Sequence, residues 1–81
     1  MEKEQVIAIA QSMGFWLDYD QWDVEGKEWI RFYFKGYDTT NMCLIWWKRE
    51  TLDLVMKRAA NIIYIAGQEH KIKQINGVSN L

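Results

Sequence analysis

The spacing of apolar residues changes period twice along this chain, and that change restricts the fold more than any other feature. Val6, Ile9, Ala10 and Met13 fall at i, i+3, i+4 and i+7, the spacing of one buried helical stripe. From Phe15 to Arg49 the period is two. It returns to helical spacing with Leu52, Val55, Met56, Ala59, Ile62, Ile63 and Ala66. The first pattern predicts a helix over roughly residues 3–13. Glu2 and Glu4 lie at the positive end of its dipole, and Gly14 supplies a left-handed stop.

In the middle segment Phe15, Leu17 and Tyr19 alternate with Trp16, Asp18 and Asp20. Ile30, Phe32 and Phe34 alternate with Trp29, Arg31, Tyr33 and Lys35, and the run from Met42 to Lys48 is apolar on both parities. Aromatic and β-branched content of this kind suits strands, and Glu25-Gly26-Lys27 and Gly36-Tyr37-Asp38 are turn signals. Connections so short force an antiparallel meander. Thr51 is the expected N-cap of the second helix, with Asp53 in its first turn. That helix is expected to pass Gly67 and reach about Gln74. Ile65, Ile72 and Ile75 form a second stripe there, and Asn76-Gly77 is the better terminator. The expectation is one α+β domain over residues 1–81 in the order α-β-β-β-α. Its three-stranded antiparallel meander packs with an N-terminal and a long C-terminal helix.

Of twelve aromatic residues, eleven lie between Phe15 and Trp47. One sheet face, with Phe15, Leu17, Ile30, Phe32 and Phe34, is a sufficient core floor. The other then carries Trp16, Trp29, Tyr33 and either Trp46 or Trp47, among Asp18, Asp20, Arg31 and Lys35; Trp46 is the expected anchor. Two arrangements are open. A helix on each face would make every tryptophan core, whereas two helices on one face would leave a bare aromatic patch of the kind that marks an interface. The second is the expectation, with Trp16, Trp29, Tyr33 and Trp46 as apolar anchors and Asp18, Asp20 and Asp23 as a charged rim. Homo-oligomerisation, a dimer first, would relieve the thin stability margin of so small a core.

Composition narrows the function classes. The chain is 49% apolar and 26% charged with a formal net charge of −1, which excludes a disordered or collagen-like chain and a strongly basic nucleic-acid arm. One cysteine excludes an intrachain disulfide and points to the reducing cytoplasm. The apolar runs are shorter than the roughly 18–20 residues that span a bilayer, so no membrane is expected. The Glu2-Lys3-Glu4 start is not that of a secretory signal. Charge is unevenly placed: residues 1–40 carry −4 and residues 41–81 carry +3. A dipolar surface of this kind can orient a charged partner.

Dedicated chemistry is hard to find. Counted from Asp18, the fifth, sixth and twelfth positions of a calcium loop are Trp22, Asp23 and Trp29, which fail the ligand, glycine and glutamate requirements. Cys43 and His70 are the only residues of their kinds. Cys43 lies in the most apolar strand, where a thiol is usually inert packing, and His70 reads as helix surface among Glu69, Lys71 and Lys73. With no carboxylate pair, phosphate loop or metal spacing, a non-catalytic protein without cofactor or metal is expected.

Lys57-Arg58-Ala59-Ala60, with the α-β-β-β-α order, resembles the basic, alanine-rich second helix and the topology of the double-stranded-RNA-binding domain. The chain departs from that family at Leu52-Asp53-Leu54-Val55, where the family carries a lysine cluster. It departs again at Glu25-Gly26-Lys27-Glu28, where the family has a proline–histidine loop. The resemblance implies, as the alternative function, nucleic-acid binding through Lys57, Arg58, Lys71 and Lys73. The leading expectation is a small protein-binding module, an inhibitor or adaptor. One known type, the anti-defence proteins of phages and mobile elements, can block a basic groove with carboxylates.

Overall fold

The computed structural model describes residues 1–37 and 42–79. The element order is α1 (Lys3–Ser12), β1 (Phe15–Asp20), β2 (Trp29–Phe34), β3 (Cys43–Trp47) and α2 (Leu52–Ser79), with the strands in antiparallel order β1-β2-β3. This is the α-β-β-β-α single small α+β domain read from the period changes. Asp38, part of one turn signal, lies outside the described residues.

Local chemistry accounts for the ends of the elements. The Gln5 side chain reaches back to accept from the Glu2 amide at 3.0 Å, closing the first turn of α1. Gly14 ends it at φ +95°, where a side chain would be strained and where a Cβ would stand 3.2 Å from the Phe34 ring. The Thr51 hydroxyl accepts from the Leu54 amide, as an N-cap should. α2 continues through Gly67, and it outruns the expected stop at Asn76-Gly77 to reach Ser79.

Both helices cover the same face of the sheet. Val6 and Ala10 of α1 and Val55, Ala59 and Ala66 of α2 share one buried cluster with Phe15, Ile30, Phe32, Phe34, Leu44 and Trp46. The pairing Ile30↔Trp46 and Phe32↔Leu44 stacks these inward residues rung by rung. Of the two open arrangements, the structure takes the two-layer one. α2 has 28 residues, about 42 Å of helix, against strands of about 20 Å. It therefore overhangs the sheet and gives the molecule its 53 × 21 × 18 Å shape.

A β-bulge in β1 corrects the expected alternation. Leu17 pairs with Phe32, but Tyr19 rather than Asp18 pairs with Arg31, so Asp18 is the extra residue. Beyond the bulge the parity inverts. Tyr19 joins Trp29, their ring centroids 5.7 Å apart, while Asp20 turns toward α1. Leu17, expected in the core, sits at the bulge on an edge strand and is exposed.

Candidate docking face on the open side of the sheet

The face without helices is built from the outward parity of β2 and β3, from Trp16 at the start of β1, and from Tyr19 beyond the bulge. Cross-strand pairing sets the layout: Trp16 opposite Tyr33 opposite Cys43, then Tyr19 opposite Arg31 opposite Ile45, then Trp29 opposite Trp47. Trp16 is 43% exposed, Tyr33 40% and Tyr19 49%, and Ile45 is exposed as well. Together they present an apolar patch on the order of several hundred Å², the size that marks interfaces on small proteins. Trp29 and Trp47 are half-buried, with ring centroids 6.3 Å apart.

Three of the four expected anchors lie on this face. The fourth does not: Trp46 is 1% exposed and fills the core, and Trp47 takes the outward place. The reason is register, because Trp46 pairs with the inward Ile30 and Trp47 with the outward Trp29. Cys43, expected as buried packing, is exposed for the same reason. His70 is not plain helix surface either. It is half-buried and stacks on Tyr37 with centroids 4.9 Å apart, tying the end of β2 to α2.

The three acids expected as one rim are split by the bulge, and each has a cation. Asp18 Oδ2 accepts from Arg31 Nε at 2.7 Å. Asp20 and Asp23 instead meet Lys3 of α1 at 3.1 and 3.2 Å. Asp20 also accepts from the Trp22 amide at 2.9 Å, forming an Asx turn that swings Trp22 into the core, where it is 3% exposed under Lys48. Burial by itself would raise the Asp20 carboxyl; the Trp22 amide and Lys3 outweigh it and hold its pKa below the ordinary value. Trp22 was not expected in the core, and its one sequence signal is the aspartate two residues before it.

Side chains cap part of the β3 edge, and β1 carries the bulge. On β3 the outward-directed backbone groups belong to Cys43, Ile45 and Trp47. Glu50 Oε1 accepts from the Trp47 amide at 3.0 Å, and Glu50 N donates to the Trp47 carbonyl. Arg58 donates to the Ile45 carbonyl and is ion-paired with Glu50. Burial alone would raise the Glu50 carboxyl; Arg58, the Trp47 amide and the field of Arg49 reverse this and lower its pKa. The bulge does the same service on β1, so strand addition at either edge is discouraged.

The four basic residues of the alternative reading are not brought together. Arg58 is committed to Glu50 and Ile45. Lys57 and Lys71 are exposed about 40° apart around α2 but separated by about 21 Å along it. Lys73 falls on another side of the helix. Among the described residues no cluster of three or more His, Cys, Asp or Glu could hold a metal, and no helix is long and apolar enough to cross a membrane. Compared with known protein families, with curated proteins and with solved structures, the chain matches none.

Proposed function

We propose that the chain is a small cytoplasmic, non-catalytic module that binds another protein through the open face of its sheet, acting as an inhibitor or adaptor by occupying that partner's surface. One observation carries this reading: Trp16, Tyr33 and Tyr19 stay two-fifths to one-half exposed on a face that no described element of the chain covers. Tryptophan, tyrosine and arginine dominate binding energy at protein interfaces, and Trp16, Trp29, Tyr33, Trp47 and Arg31 all lie here. The capped end of β3 and the bulge in β1 make strand addition the less favourable route to a partner. The test is quantitative capture from the native host with two baits, the natural chain and a Tyr33→Asp variant of matching circular dichroism. A stoichiometric protein held by the first and reduced at least tenfold on the second supports the reading. Capture indifferent to Tyr33→Asp contradicts it.

Self-association is the second use of the chain, favoured by the exposure of Ile65, Ile72 and Ile75 along α2. Face-to-face pairing of two open sheets would set Lys35 and Arg49 of each copy against cations, so α2 is the better seam. A dimer in sedimentation at micromolar concentration that Ile72→Glu abolishes would establish it; a monomer would remove it.

A further inference from the structure

Each of three cations on the open face rests over an aromatic ring. Lys35 Nζ is 4.7 Å from the Trp16 ring centroid, Arg49 Cζ 4.6 Å from Trp47 and Arg31 Cζ 5.6 Å from Tyr19. Arg31 is neutralised by Asp18. Lys35 and Arg49 have no carboxylate within salt-bridge distance among the described residues. Arg49 contributes to the field at Glu50, whose oxygens already accept from Arg58 and the Trp47 amide. Asp20 and Asp23, expected on this face, are drawn away to Lys3.

These two cations, without a salt bridge among the described residues, stand at opposite ends of the apolar strip. Arg49 is over the Trp29–Trp47 rung, and Lys35 reaches over Trp16, whose rung with Tyr33 is four residues further along β2, about 13 Å along the strand. We infer that the open face docks an acidic protein surface, with carboxylates at the two ends of the strip and an apolar contact over Tyr33 and Ile45 between them. This rests on the reading of that face as a protein-docking surface. A cation held over a ring is ordered before the partner arrives, and a guanidinium so held keeps N–H donors for a carboxylate. Stacking platforms for nucleic-acid bases need bare ring faces, whereas here three rings already carry cations. That favours a carboxylate over a base.

The experiment pans a random peptide library, displayed on phage, against the immobilised full chain at physiological salt, with oligo-dT as competitor. The expected result is enrichment of peptides with two acidic positions flanking an apolar centre. Their binding should weaken at least tenfold on a Lys35→Gln, Arg49→Gln variant and be unchanged on Lys57→Gln. Enriched peptides without acidic excess that are still lost on Tyr33→Asp overturn the acidic partner and leave the docking face standing. Peptides indifferent to Tyr33→Asp, or no enrichment at all, overturn both. Oligo-dT displacing the peptides, with binding of its own that Lys35→Gln weakens, makes phosphate the recognised anion and overturns the acidic protein.

Discussion

Glu50 and Asp20 are two carboxylates on which a disproportionate share of the local order depends. Glu50 anchors the free edge of β3, and Asp20 fixes the turn that buries Trp22. Both have pKa values lowered by folding, so the unfolded chain takes up protons first as pH falls. Their contribution is therefore complete above the ordinary carboxylate range, about pH 4, and is lost as pH drops through the lower folded-state values. Urea denaturation at neutral and acidic pH should show this loss, and Asp20→Asn with Glu50→Gln should flatten it. At neutral pH Glu50→Gln should lose about 1–2 kcal/mol, because the Arg58 guanidinium loses its carboxylate. The variant should also self-associate more readily as the β3 edge loosens. An acid limb unchanged by both substitutions would contradict these roles.

Among the elements, the helices and strands were legible from spacing, and the faces were only partly so. α1 shows one apolar stripe and a glycine stop, so its extent follows from Val6, Ala10 and Gly14. β2 alternates cleanly from Trp29 to Phe34, which is why its inward residues are those expected. β3 is apolar on both parities, so only pairing with β2 decides that Trp46 goes in and Trp47 out. β1 carries apolar residues on both sides of Asp18, and no local pattern announces that this residue is bulged. The acidic rim dissolved for that reason. On α2, nothing beyond the adjoining helix backbone lies within 4 Å of where a Cβ on Gly67 would be. Gly67→Ala should therefore stabilise the protein by about 0.5–1 kcal/mol in thermal or urea unfolding. The overhang makes a second comparison. Ile72→Gln, on exposed helix, should stay within about 0.5 kcal/mol of the natural chain when both are diluted to monomer, whereas Val55→Ala in the core should lose about 2 kcal/mol or more.

At the scale of the whole molecule, the sheet divides the chain into a dry side and a bare side. Both helices, the Asx turn with Trp22 and the inward residues of all three strands lie on the dry side. The bare side keeps aromatic rings in water with cations over them, and its edges carry a bulge on β1 and the Glu50–Arg58 pair on β3. The proposed docking role rests on that division. Its most direct test is the stability of two variants by urea denaturation, Trp16→Thr with Tyr33→Thr on the bare side and Trp46→Ala on the dry side. The double variant removes a directly opposed cross-strand pair of exposed rings, and it should remain folded with a loss of about 1 kcal/mol. Trp46→Ala should lose about 3–5 kcal/mol. A double variant that unfolds, or that loses as much as Trp46→Ala, would mean the aromatic face is core and not a surface awaiting a partner.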